Sequence, residues 1–338
     1  MSRLRAMEIR KIQKTGVSTM TVSLPKRWVE EHGIKQGDPV EINILRDGSL
    51  SLSSVIGEKD EPIRKVVEIE KGELGSHLMR KLIAAYLAGY NIIEVRSTQR
   101  LDYELKREVK EFSRLVIGPE VIDETSNSLV LHDLSDPAEL PQRKCVRRMH
   151  LLVNSMHKDA ITAFEENDDD LARDVIDRDL DVDRLYLMVV KQYNLILKDR
   201  RISDKIGVDV FEGMNLMLAA RLIERIGDHA EKIARTSLIR HDEGNDKMRK
   251  NLRGLSERAV KILNNAVESL FKGDIDEANL VIDEGGKLVE DCERLKPGRD
   301  VKGCATLNEN TVLDSILRTA MYSIDIAETA INLTMNKD

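Results

Sequence analysis

The sequence predicts a mainly α protein with a small β domain at its N-terminus. Three observations carry this reading. Residues 144–336 are long stretches of Ala, Leu, Ile, Glu, Asp and Arg, and aromatic residues make up only 3% of the chain, which suits helices better than strands. The first 54 residues instead alternate apolar and polar side chains between glycine turns. The helical part also repeats itself, so one bundle unit occurs twice. At 338 residues the chain has room for several domains.

Residues 8–54 read as strand, turn, strand, short helix, strand, turn, strand. "EIRKIQKTGVSTMTVSLP" breaks at Thr15-Gly16, a hairpin signal, and Met20, Val22 and Leu24 then alternate with Thr19, Thr21 and Ser23. Pro25 opens a short helix that Gly33 ends, and "VEINILRDGSLSLS" is a second hairpin turning at Asp47-Gly48. So few large apolar side chains make a poor core alone, which favours an intertwined dimer. Arg3, Arg5, Arg10, Lys11 and Lys14 crowd the first arm, and Lys26 and Arg27 follow Pro25. Residues 1–36 hold eight Lys and Arg against three Glu, while the whole chain carries a net charge of −7. Any nucleic-acid contact is therefore local to this segment.

A solvated edge strand guarded by cations gives the same residue types. The arrangement is more specific. "KIQKTGVSTMTVSLPKRWVEEHGIKQGDPVEINILRDGSLSL" resembles the AbrB/SpoVT swapped-hairpin DNA-binding fold, in its basic first strand, its "VSLPKRW" and "GIKQGDPVEI" segments and its "DGSL" turn. The resemblance implies a dimer whose two chains weave one β-barrel, with Arg10, Lys11, Lys14, Lys26 and Arg27 as DNA contacts. A dimerisation or toxin-partner role is the alternative.

Residues 63–133 suggest a small α/β module: "IRKVVEIE" and "NIIEVRS" as strands, helices across 74–89 and 101–115, and a hairpin within "EVIDETSNSLVLHDL". It has no Gly-rich phosphate loop and no catalytic constellation, so a spacer or a sensor of unnamed ligand is expected. "SDPAELP" reads as the linker onward.

The remainder is helical. "DAITAFEENDDDLARDVIDRD" (159–179) aligns without a gap with "NAVESLFKGDIDEANLVIDEG" (265–285), and "RLIERIGDHAEKIA" (221–234) aligns with "RTAMYSIDIAETAI" (318–331). Each half therefore carries three helices, near 144–167, 169–199 and 208–240, then 247–272, 274–295 and 306–335, as two three-helix bundles. Asp179 and Asp183 sit where the apolar stripe of Ala172, Val175, Val182 and Val189 calls for apolar residues. On the next helix, Glu224, Asp228 and Glu231 form a carboxylate stripe, and Glu224 and Asp228 continue a line that is apolar at Met217 and Ala220. Carboxylates in such places must be neutralised, paired or metal-bound. If the helices face each other, a multivalent cation satisfies the oxygens, with His229 as a possible nitrogen donor. An ion-pair network through Arg178, Arg184, Arg221 and Arg225 satisfies them equally well.

"AITAFEENDDDLARDVIDRDLDVDRLY" and "LIERIGDHAEKIARTSL" resemble the PhoU family, regulators of phosphate uptake built from two three-helix repeats. The resemblance implies an (E/D)-x-x-x-D metal signature on the second and third helices of each repeat, which Asp179/Asp183 and Glu224/Asp228 match. The second repeat departs from it. Gly285, Val289 and Met321 replace three of the four, leaving Asp325 with Glu328 as a weaker site.

The sequence is thus expected to divide into an AbrB-like DNA-binding and dimerisation domain (1–56), a small α/β module (60–136) and PhoU-like repeats (144–241 and 247–336). The combination resembles the fused phosphate-uptake regulators of archaeal type. It implies a homodimeric, cytoplasmic transcriptional regulator of phosphate homeostasis, bound to operator DNA and to a divalent or ferric ion (iron, zinc or magnesium). A phosphate-transporter ATPase or a signalling protein is a possible partner. An adaptor of the transporter whose first domain only dimerises is the alternative. A metal-dependent phosphohydrolase ranks lower, because no general base or nucleophile accompanies the carboxylates. The widely spaced Cys145, Cys292 and Cys304 suggest neither a disulfide framework nor a thiolate zinc site. No apolar run is long enough to span a bilayer.

Overall fold

A computed structural model describes residues 8–44, 48–54, 62–70, 72–239, 246–296 and 304–336. Arg3, Arg5 and Asp47 lie outside the described residues. The chain divides into two units, up to Pro62 and from Ile63 onward.

The first unit is two hairpins and a short helix. β1 (Gln13–Thr15) pairs antiparallel with β2 (Thr19–Thr21), and Gly16 takes the left-handed φ of 69° that their turn requires. α1 (Lys26–Glu31) begins after Pro25, and β3 (Val40–Ile44) pairs antiparallel with β4 (Leu50–Ser54). Within the one chain the hairpins form separate two-stranded sheets and not a closed barrel. None of the described residues of this unit is buried. Ile12, Met20, Ile42, Ile44 and Leu50 are each at least 60% exposed. The apolar alternation is present, but no described residue of this unit covers it.

The second unit starts with a four-stranded sheet. β5 (Arg64–Ile69), α2 (Gly75–Leu87) and β6 (Ile92–Ser97) form a parallel crossover; α3 (Tyr103–Leu115) leads to the hairpin of β7 (Pro119–Glu124) and β8 (Ser128–Asp133). β8 pairs antiparallel with β6, giving the order β5-β6-β8-β7. Asp102 caps α3 by accepting from Leu105 N at 2.8 Å. Leu78, Leu82, Phe112 and Leu129 fill the core, where the Tyr86 ring meets Phe112 edge-on and its hydroxyl donates to Ile117 O at 3.1 Å.

The helical body follows as α4 (Gln142–Glu166), α5 (Asp169–Lys198), α6 (Arg200–Ile206), α7 (Val210–Leu238), α8 (Asp246–Lys272), α9 (Ile275–Leu295) and α10 (Cys304–Met335). The short α6 is additional to the sequence reading. α4, α5 and α7 form one bundle and α8, α9 and α10 another, joined where α4 meets α8 and α7 meets α10. One continuous apolar core runs from Cys145 to Leu333. The repeat shows in its turns as well. Asn167 (φ 57°) and Gly273 (φ 69°) end α4 and α8, and each precedes an aspartate, Asp168 or Asp274, that caps the next helix. α5 also fastens the sheet module: Lys191 pairs with Asp133 in a buried ion pair, and Asn194 Nδ2 donates to Leu87 O at 2.8 Å. Among the described residues no helix is long and apolar enough to cross a membrane.

Candidate functional site

The helical periods of α5 and α7 bring Asp179, Asp183, Glu224 and Asp228 face to face. Gly227 allows the approach: a Cβ there would lie 3.3 Å from Asp179 Oδ1 and 3.5 Å from Val182. Asp179 and Asp183 are half-buried, whereas Asp228 stays open to solvent. Burial, then the neighbouring charges of Asp183, Glu231, Asp228 and Glu224, push the Asp179 carboxyl up to about 7. Burial and Asp228 push Asp183 to about 6, burial and Asp228 push Glu224 to about 7, and Asp228 is raised by burial and Glu231. Burial first, and neighbouring negative charge after it, thus disfavour the ionised form of all four groups.

The geometry shows how far ion pairs satisfy these carboxylates within the chain. Arg178 and Arg184 serve other residues. Arg178 pairs with Asp159 at 2.7 Å and Asp174 at 2.9 Å, and Arg184 pairs with Asp181 at 3.6 Å. Arg221 reaches Glu224 Oε1 at 2.9 Å, but Glu224 Oε2 is buried without a partner. Among the described residues Asp179, Asp183 and Asp228 make no hydrogen bond or ion pair. Of the ion-pair network expected from sequence as an alternative, the Arg221–Glu224 pair forms, and among the described residues the three aspartates stay outside it.

The donor set fits a hard cation: four carboxylates, three unpaired, one with an orphaned buried oxygen. The coordination sphere is not closed. Among the described residues no three His, Cys, Asp or Glu side chains already stand around one point. His229 does not join the cluster. Its Nδ1 lies 3.3 Å from Ser315 Oγ on α10 and its ring lies against Tyr322, while burial and then Lys232 lower its pKa to about 4. Glu231, on the carboxylate stripe but not selected from sequence as a ligand, adds its charge to three of the four while pairing with Arg235 at 2.6 Å.

The second repeat differs through an exchange of glycines. By the two alignments Asp179 corresponds to Gly285 and Gly227 to Ile324. A Cβ on Gly285 would lie 2.6 Å from Ile324 Cγ1. An apolar contact therefore stands where the first repeat has its aspartate, and Val289 packs on the core. Asp325, raised by burial and by Glu328, is left without facing carboxylates at 285 and 289.

In the first unit, Arg10 pairs with Glu8, Lys26 with Glu30 at 3.6 Å, and Arg27 with Glu31 at 2.8 Å. Lys11 and Lys14 make no ion pair among the described residues.

Comparison with known proteins places these features. The PhoU domain family model matches residues 146–237, and that of antidote-toxin recognition MazE, bacterial antitoxin, matches residues 13–60. The phosphate-specific transport system accessory protein PhoU of Escherichia coli K12 is 28% identical over 151 residues, 45% of this chain and 61% of that protein. The chain thus spans less than two thirds of that relative. A PhoU homolog from Pseudomonas aeruginosa is 28% identical over 214 residues, 61% of this chain and 79% of its own length. The crystal structure of PhoU from Pseudomonas aeruginosa matches with a TM-score of 0.50 at 20% identity, over 59% of this chain and 98% of that one, a likeness of fold. Residues 146–237 thus match the PhoU domain within a helical body of PhoU-like fold, and residues 13–60 match a MazE-type antitoxin domain.

Proposed function

We propose that this chain is a dimeric, DNA-binding regulator of phosphate uptake, not an enzyme, whose helical body answers to a metal ion. The observation that carries the proposal is the joining of a PhoU-like body to a basic N-terminal unit whose apolar side chains find no cover among the unit's described residues. A second copy supplies that cover most simply, since each hairpin offers the other chain the same apolar stripe. In the dimer the basic first arms, with Lys11 and Lys14 unpaired, would lie along one duplex in the cytoplasm. The transport link rests on the E. coli relative, named as an accessory protein of the phosphate-specific transport system. A transporter ATPase or a signalling protein is the partner to seek.

Asp179 and Asp183 from α5, with Glu224 and Asp228 from α7, would hold a divalent or ferric ion such as iron, zinc or magnesium. When bound, the ion supplies the positive charge that the four carboxylates lack within the chain. The residues themselves then ionise fully, and Arg221 competes with the ion for Glu224. Asp325 and Glu328 offer too few facing oxygens to offset a cation's lost hydration.

Two experiments test the proposal. Metal analysis of the purified protein should find one loaded site per chain, lost in Asp179→Ala/Asp183→Ala with helicity retained, because Ala suits a helix. Equal metal in both proteins would remove the metal from the reading. An electrophoretic shift with promoter DNA of phosphate-transport genes tests the head. A second reading, the adaptor whose head only dimerises, is favoured by one observation: three of the five candidate DNA contacts are already paired with glutamates. Absence of any shift at low salt selects it.

A further inference from the structure

α4 of the first repeat and α8 of the second lie side by side, and their seam dips into a cavity of about 450 Å³. Small-molecule sites are typically about 300–1,000 Å³. The lining is basic on an acidic chain: Lys158, Arg253 and Lys261 surround it, against the single carboxylate of Glu257. Arg253 Nε donates to Glu165 Oε2 at 2.6 Å, so its guanidinium is committed at the rim. Lys158 and Lys261 make no ion pair among the described residues. Against them the lining sets the one carboxylate of Glu257, so the cavity keeps a net positive charge.

Asn264 adds neutral donors. Its Oδ1 accepts from His150 Nε2 and from Asn154 Nδ2, each at 2.7 Å, which fixes the amide plane. The two N–H groups of its Nδ2 are left as the part of this lining side chain that can meet a ligand. Ile161 and Val260, each 4% exposed, give the cavity an apolar base.

These features select a ligand class. A guanidinium fork grips carboxylate and phosphate alike, and the one that lines this cavity is engaged with Glu165, which leaves the ammonium groups to hold the ligand. Two compact ammonium groups and an amide suit a group with several anionic oxygens pointing apart, as a phosphoryl group has. The cavity exceeds that group, and the Ile161 and Val260 surface suits an organic remainder. We infer that the seam between α4 and α8 binds a small phosphorylated organic molecule, its phosphoryl oxygens on Lys158, Lys261 and Asn264. The site shares no residue with the carboxylates of α5 and α7. Its occupant touches both repeats at once and clamps them together.

Titration calorimetry of the full chain tests this, in EDTA so that no cation bridges the probe to Asp179 or Glu224. The probes are AMP, glucose 6-phosphate, inorganic phosphate and adenosine. At least one organic phosphate should bind saturably with a Kd below about 1 mM, more tightly than inorganic phosphate. Lys158→Ala/Lys261→Ala should weaken it at least about tenfold, or 1.4 kcal/mol. Both lysines are exposed, so the variant should melt as the wild type does. Lys272→Ala, on the same helix outside the cavity, and Asp179→Ala/Asp183→Ala should bind as the wild type does. The inference is overturned if neither organic phosphate binds saturably, if the double lysine variant binds unchanged, or if adenosine binds as tightly as AMP.

Discussion

Asp179→Asn isolates what the facing carboxylates do when no cation is present. In the folded chain Asp179 ionises near pH 7 and not near 3.8, first through burial and then through Asp183, Glu231, Asp228 and Glu224. Between those two values the folded protein holds a proton that the unfolded chain has released. Stability therefore falls as pH rises through that window and levels off above it. At about 1.4 kcal/mol per tenfold change in proton affinity, the rise corresponds to an upper limit of about 4 kcal/mol. Solvent reaches the site, and Asp183 and Glu224 titrate together with Asp179, so about half of that, roughly 2 kcal/mol, is expected. Asparagine keeps the shape of the carboxyl and removes its charge. In EDTA at about pH 8 the variant should be more stable than the wild type by about 2 kcal/mol, an advantage that shrinks as pH falls and vanishes below about pH 4. A divalent cation should reverse the order at pH about 8, since only the intact cluster gains the binding free energy. Urea and thermal denaturation at both pH values read this out. A variant less stable than the wild type at the higher pH in EDTA would mean that Asp179 has an internal partner, and the reasoning would fail.

Other perturbations probe the head and the second repeat. Lys11→Ala and Lys14→Ala should each flatten the dependence of log K on log salt by about 0.9, while Lys26→Ala and Arg27→Ala, whose charges Glu30 and Glu31 offset, should change it less; an unchanged slope in the first pair would make the basic arm a solvated edge only. Residues 1–54 alone should fold only as a dimer, since none of their described residues is buried, and a folded monomer in light scattering at micromolar concentration contradicts this. Gly285→Ala places its Cβ 2.6 Å from Ile324 Cγ1; overpacking of about 1–3 kcal/mol should outweigh the roughly 1 kcal/mol that Ala gains over Gly in a helix. Gly254→Ala, with nothing within 4 Å of its Cβ, should stabilise, and a Gly285→Ala protein that melts equally high would show that Ile324 yields.

The helical body was legible because its charged surface and apolar stripe are regular over many turns, and an interruption such as Asp179 stands out against that period. The direction taken by each arginine was not. Arg178 and Arg184 flank Asp179 and Asp183 in sequence, yet they turn to Asp159, Asp174 and Asp181 because those acids lie on their own side of α5 or on α4. α6, at seven residues, is too short for periodicity to separate it from a loop. The cavity between α4 and α8 was invisible for a different reason: Lys158 and Lys261 are about one repeat apart in the chain and meet only through tertiary packing.

The exchange of glycines explains why the two repeats diverge as a pair of positions and not one at a time. Where two helices cross closely, one of them must give up a side chain. The first repeat does so on α7, at Gly227, leaving room for Asp179; the second does so on α9, at Gly285, and Ile324 fills the gap. Gly285→Asp alone would drive a carboxylate into Ile324, and Ile324→Gly alone would open a cavity in the core. The clustered charge is accordingly concentrated on one side of the body, between α5 and α7. α5 is also the helix that grips the sheet module, through the Lys191–Asp133 pair and the Asn194 bond to Leu87, while α7 meets the second repeat through His229 and Ser315. Drawing the four carboxylates together around a cation, or letting them repel, therefore acts on the two helices that hold the other parts of this unit in place.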